Sequence, residues 1–336
     1  MASSDPLAAH HDIHDGCEFF EYVRVDGAEP AASRDAIDIA VLDMNHSWPN
    51  LGHDSLVHLV LEAAEPLCTQ LTKAGLRVRV LSYDIRRTTS LPTSVDRFPI
   101  FLGTGGPGHL DPRLNNGVGE WSQGIDETAA WEAPLFGLFD AIHAHPTATL
   151  LAVCHSFGLL CRWSGVARPE LRALKSAGMP LNALSDEGRN HPYFRSFAEE
   201  LPDHTHFRVV DNRLFDLIVE NLSSATALAF EEVGSPALTM VELGRHPDGV
   251  PRILGVNHHP EIIDRDHILA VLEEKRAHAM VTEDWYRERA ATMKNLFHGS
   301  AEAESQRTSH YTLIEPLRHQ LQRAVAERCG VSVRIG

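Results

Sequence analysis

Three short apolar runs and the stretch between two of them constrain this chain more than any other feature. Residues 37–42 read Ile-Asp-Ile-Ala-Val-Leu, 77–81 read Arg-Val-Arg-Val-Leu and 98–102 read Phe-Pro-Ile-Phe-Leu. Each has the length of a strand, and the first is apolar enough to be buried on both faces. Between the first two, Leu56, Leu59, Val60, Ala63 and Leu67 fall on one side of a helix. Asp54 is placed to cap that helix, Pro66 to kink it and Gly75 to close it. A strand, a crossover helix and a second strand in this order run parallel, with a right-handed connection. The fold class that follows is α/β, a doubly wound, mostly parallel sheet flanked by helices.

The pattern continues downstream. Residues 150–153 form a fourth apolar run that stops at Cys154, and Leu159, Leu160 and Trp163 then recur at helical spacing. Residues 131–144 read as a helix with Pro134 in its first turn, and 110–128 as a long polar loop able to act as a lid. Residues 168–208 look irregular. Later strands are expected at 208–210, 227–230, 238–242 and 252–257, and from 264 onward the chain turns helical. This gives three parts: a polar N-terminal extension over 1–36, a catalytic domain over 37–263 and a helical C-terminal extension over 264–336. Within the first part, Phe19, Phe20, Tyr22 and Val23 can form a short element against the main body, and His10, His11 and His14 belong to a polar tail. The C-terminal helices either cover a sheet edge or build a contact with a second copy.

Charge narrows the function classes. With 30 basic and 46 acidic side chains the net charge is −16, so neither nucleic acid nor an anionic membrane surface is an expected partner. No apolar run reaches the roughly 18 residues of a membrane helix. The five cysteines are widely spaced, without a C-x-x-C pair, which is a reduced pattern. The first residues lack a basic region followed by an apolar one. The expected location is the cytoplasm.

Open α/β sheets place their ligands at the carboxyl ends of strands, and three such ends carry suggestive residues. The run 98–102 leads into Gly103-Thr-Gly-Gly-Pro-Gly-His109, where backbone amides can approach a ligand closely. Neither a Walker loop nor a dinucleotide fingerprint fits it. Cys154 stands where a strand meets a helix N-terminus, a setting that favours a thiolate. The last strand ends in Gly255-Val-Asn-His-His-Pro-Glu261. Together these supply a nucleophile (Cys154), a base (His259) and a carboxylate to orient it (Glu261). His258 and His259 face opposite ways along an extended segment, so only one can serve, and the position next to Pro260 favours His259. Backbone donors for an oxyanion are available at Gly105, Gly106 and His155. A competing reading assembles a metal site from His109, Asp111, His258 and Glu261.

The order glycine loop, elbow cysteine, His-Pro-Glu resembles the class I glutamine amidotransferase superfamily over about residues 37–262. The resemblance implies a flavodoxin-like fold of the class I amidotransferase type, a Cys-His-Glu triad and a thioester intermediate, with no cofactor and no metal. Three positions depart from the family's elbow, Gly-x-Cys-x-Gly-x-Gln, where this chain has Ala152, Ser156 and Gly158. Ser156 replaces a glycine, which tightens the turn where φ > 0 is needed, and Gly158 replaces a glutamine that holds substrate. A second similarity is to homoserine O-acyltransferases of the succinyltransferase type, carried by His191-Pro-Tyr-Phe-Arg-Ser-Phe197, Asp211-Asn-Arg213 and the helical extension. The expected activity is therefore cleavage of a glutamine or γ-glutamyl-type amide, or acyl transfer, through Cys154. CoA-dependent acyl transfer and a non-catalytic binding or regulatory role are the alternatives. Arg213 is the candidate to bind an acidic or amino-acid substrate. The expected partners are a small amide or acyl substrate and either a second copy of the chain or a separate synthetase.

Overall fold

The computed structural model describes residues 19–46, 51–263, 265–279, 281–297 and 299–330; the histidines at 10, 11 and 14 lie outside them. The strands are β1 (Phe20–Arg24), β2 (Ala36–Asp43), β3 (Arg77–Asp84), β4 (Ile100–Gly103), β5 (Thr149–Val153), β6 (Ala167–Gly178), β7 (Leu181–Leu184), β8 (His206–Arg208), β9 (Asp211–Val219), β10 (Thr226–Phe230), β11 (Leu238–Arg245) and β12 (Pro251–Val256). Ten of them form one sheet in the order β1-β3-β2-β4-β5-β12-β11-β10-β7-β8. The first six in that order run parallel, and the remaining four continue the sheet antiparallel. β6 and β9 pair separately as a two-stranded arm.

Burial explains why these runs became strands. Every residue of β2, β4, β5 and β12 is buried, as the middle of a sheet covered on both faces requires. On one face Val57, Val60, Leu317, Leu321 and Val325 pack over Ile39, Val80 and Leu102. On the other Leu135, Phe139, Leu159 and Leu160 pack over Ala40, Phe101 and Leu150. The helix after β2 spans Leu51–Ala64, a 3-10 turn follows at Glu65–Leu67 with Pro66 inside it, and a short helix Cys68–Ala74 closes on Gly75 at φ 65°.

Several expectations need correction. Asp54 does not cap the helix, which begins three residues earlier; it sits buried in the first turn, bonded to His53 and paired with Lys275. The boundary drawn at residue 37 leaves out β1, which lies beside β3 along its whole length. Residues 168–208 are not irregular. They contain most of β6, all of β7 and two short helices, disguised because β6 is largely exposed and has no apolar alternation. The last helix, Glu315–Cys329, covers a sheet face, with Leu317, Leu321 and Val325 in the main core. Among the described residues no helix is long and apolar enough to cross a membrane.

Register places the site. Gly103 of β4 lies beside Ala152 of β5, and Val153 beside Val256 of β12. The three motif-bearing segments therefore leave the sheet side by side.

Candidate active site

β5 ends at Val153, and the next helix, His155–Ser164, begins two residues later. Cys154 makes the reversal alone, with φ 50° and ψ −101°, while its N–H donates to the Val256 carbonyl at 2.8 Å. A non-glycine residue in that conformation costs about 1–3 kcal/mol and persists only where its surroundings impose it. The positive φ sits on Cys154 itself. Ser156, expected to tighten the turn, has no such strain: it lies within the helix, and its hydroxyl and its N–H both donate to the Thr104 carbonyl, at 2.7 and 3.2 Å. Gly103 makes room for it, since a methyl there would fall 2.5 Å from Ser156 Cβ.

The Cys154 side chain is half-buried and lines the same cavity as the His259 imidazole, both of them beside Gly105. His259 Nδ1 donates to Glu261 Oε1 at 2.8 Å. Burial by itself would push the imidazole down most. The Cys154 sulfur and the Glu261 carboxylate outweigh it and hold His259 well above its ordinary value, as the imidazolium. His258 turns the other way. Its Nε2 meets Thr312 Oγ1 at 3.2 Å, and burial, followed by the charges of His259 and Arg213, pushes it down to about 3.

The glycine loop lies across this pair. A methyl on Gly105 would meet His259 Cε1 at 2.9 Å and Cys154 Cβ at 3.6 Å; one on Gly106 would fall 2.3 Å from the Met44 carbonyl oxygen. The His155 ring is buried beside the loop, and its Nε2 has no hydrogen-bond partner among the described residues. Burial, then Arg86 and Arg162, keep it neutral, well below the ordinary histidine range. The His155 N–H opens the helix, where amides have no acceptor within the helix. Gly106 and His155 line the cavity together with Cys154 and His259, and Gly105 stands beside both side chains.

Gly158 faces Leu110: a methyl at 158 would fall 2.5 Å from Leu110 Cδ1. The space that a longer side chain at this position would enter is filled from the loop over 110–128. Arg213 borders the cavity, but its guanidinium pairs with Glu231 at 2.7 Å and Asp211 at 3.2 Å, with Asp216 at 3.7 Å. The metal grouping does not assemble. His109 Nδ1 accepts the Asp111 N–H and its ring packs on Phe215, and among the described residues no three His, Cys, Asp or Glu side chains converge to hold an ion.

A cavity of about 400 Å³ opens above Cys154 and His259, a size suited to a small molecule. Its walls come from β9 and the β6 arm, and its roof from the helix Glu283–Leu296 through Trp285, Arg289 and Met293. Gln123, Lys175 and Arg289 belong to no strand-end motif and carry no signal in the sequence, and Trp285 is marked there only as part of a helix.

No protein-family model matches the chain, and no curated protein matches it in sequence. Solved structures do match in shape. A glutamine amidotransferase from Thermotoga maritima superimposes with a TM-score of 0.50 at 14% identity, over 86% of this chain and 98% of that one. A glutamine amidotransferase from Methylobacillus flagellatus gives 0.45 at 13%, over 89% and 96%. The glutaminase domain of Trypanosoma brucei CTP synthase gives 0.44 at 10%, over 81% and 98%. The chain has the class I glutamine amidotransferase-like fold, with its helical C-terminal region added.

Proposed function

We propose that the chain is a cysteine-nucleophile enzyme that cleaves an amide or transfers an acyl group through a Cys154 thioester. The observation that carries this reading is the strained elbow at Cys154, set beside a His259 whose Nδ1 is held by the buried Glu261 carboxylate. The thiolate attacks the acyl carbon and the carbonyl π pair moves to oxygen, where the amides of Gly106 and His155 stabilise it. The tetrahedral intermediate collapses as His259 gives its proton to the leaving amine or thiol. Water or another nucleophile then attacks the thioester with His259 taking its proton, and the acyl product leaves with Cys154 restored. Glu261 keeps Nε2 of His259 turned to the sulfur.

Leu110 beside Gly158 favours a donor other than one held by a glutamine side chain at that position, so γ-glutamyl amides and acyl thioesters stand with glutamine as substrates. Intact mass spectrometry after incubation with glutamine, γ-glutamyl amides and acyl-CoAs tests the reading. The expected result is an acyl adduct on Cys154 that Cys154→Ala abolishes. No adduct and no turnover with any of these donors overturns it.

A further inference from the structure

Two cations face the mouth of the cavity from different parts of the fold. Lys175 stands on β6, exposed at the rim, and Arg289 on the roof helix Glu283–Leu296, half-buried; both line the cavity that holds Cys154. Among the described residues neither forms an ion pair with a carboxylate. The other guanidiniums nearby are engaged: Arg213 by Glu231 and Asp211, Arg162 by Glu132, and Arg86 by Glu127. Arg289 has the Trp285 ring below it, 5.8 Å from the centroid.

The two cations share one field. The Lys175 ammonium lies below its ordinary value, mainly through partial burial and then through Arg289, while the Cys154 sulfur and Glu288 oppose the shift. Glu288 also lines the cavity, as do Asp211 and Arg213, which pair with each other; outside that pair one carboxylate stands against two cations. Like charges facing a partly desolvated space repel, and a bound anion relieves the repulsion. A carboxylate suits it best, since a guanidinium takes one in a two-pronged grip and an ammonium adds a third donor.

We propose that Lys175 and Arg289 form a carboxylate-binding subsite at the outer end of the cavity, so that the group presented to Cys154 is carried on a molecule with a separate negative charge. The placement of the chemistry rests on the Cys154 reading; the subsite itself does not. It is assembled from the β6 arm and the helices after 264, outside the three strand-end motifs, so the parts of the chain that differ from a bare catalytic sheet select the substrate.

Isothermal titration of glutarate and of glutaramide against the full chain tests the subsite without any Cys154 chemistry. Glutarate is expected to bind at least tenfold more tightly than glutaramide, Lys175→Met and Arg289→Met each to weaken it about tenfold, and Arg289→Lys to keep most of the binding. Glu288→Gln, which removes the opposing charge, is expected to strengthen it. Equal binding of the two ligands, no glutarate binding, or unchanged binding in both Met variants overturns the proposal. Alkylation rates then place the subsite relative to the sulfur. Iodoacetate is expected to modify Cys154 faster relative to iodoacetamide in the wild type than in Lys175→Met/Arg289→Met, the iodoacetamide rate correcting for any change in the sulfur itself. The same ratio in both proteins overturns the placement. If neither reagent modifies Cys154 while glutarate binding behaves as stated, the nucleophile reading fails and the subsite stands.

Discussion

At the residue scale, Cys154 carries backbone strain at the point where three strand ends meet. Cys154 holds φ 50° because its N–H is bonded to β12 and the helix starts at the next residue. Glycine adopts such a conformation without strain, at an entropic cost of about 0.5–1 kcal/mol. Cys154→Gly is therefore expected to stabilise the fold by about 1 kcal/mol while abolishing turnover, read by chemical denaturation alongside the mass assay. Cys154→Ala, which keeps the strain, gives no comparable gain. Glu261→Gln keeps the shape but loses the charge that holds His259 as imidazolium, and a roughly 10²- to 10⁴-fold drop in turnover is expected. His258 offers no rescue, since it is bonded to Thr312 on the far side. At position 158, Gly158→Gln is expected to destabilise the chain by about 1–3 kcal/mol through overpacking on Leu110, and Leu110→Ala to recover part of that loss. Additive effects of the two changes in a double-mutant cycle would count against direct packing.

At the element scale, the segments meet through buried polar contacts that no local pattern announces. The Arg252 guanidinium, carried on β12, donates to the carbonyls of Ile142, His143, His145 and Ala148. It closes the carboxyl end of the helix Glu132–Ala144, where carbonyls lack partners within the helix. This cation joins β12 to the end of the helix that leads into β5. Arg252→Met is expected to cost about 3 kcal/mol of stability, measured by urea unfolding, because buried carbonyls lose their donor. A loss of only a few tenths would assign that docking to the apolar core instead.

For the whole molecule, the C-terminal helices belong to the body of the fold. Lys275 reaches Asp54 at 2.9 Å, and Ile268, Leu272 and Phe297 pack with Leu51. Burial by itself would raise the Asp54 carboxyl; the His53 hydrogen bond and the Lys275 ammonium outweigh it and bring Asp54 down to about 2. A carboxyl depressed in the folded state adds stability that is complete above its ordinary value near 3.8 and is lost as pH falls through about 2. The contribution is on the order of 2 kcal/mol. In the wild type, unfolding free energy is expected to decline over that window, and Asp54→Asn to flatten this part of the profile. An unchanged slope would show that Asp54 does not add this stability to the contact between the helix Arg265–Ala277 and the body of the fold.

The parallel sheet was legible in the sequence because a strand buried on both faces must be apolar throughout, and the runs at 37–42 and 150–153 say so directly. Cys154, His259 and Glu261 were legible for a related reason, since a doubly wound sheet brings its strand ends to one edge and their residue types suit one chemistry. The β6 arm was not, because an exposed strand carries no apolar alternation to mark it. Nor was the commitment of Arg213 to Glu231 and Asp211, or the filling of the space beside Gly158 by Leu110. Those contacts join residues far apart along the chain, and no local rule of spacing constrains them. The local pattern of residues carries the sheet, the elbow and the meeting of Cys154, His259 and Glu261 at its edge. Only the tertiary structure decided what stands over that edge, because the roof helix and the arm bring Arg289 and Lys175 to the cavity through packing rather than through any repeat in their own segments.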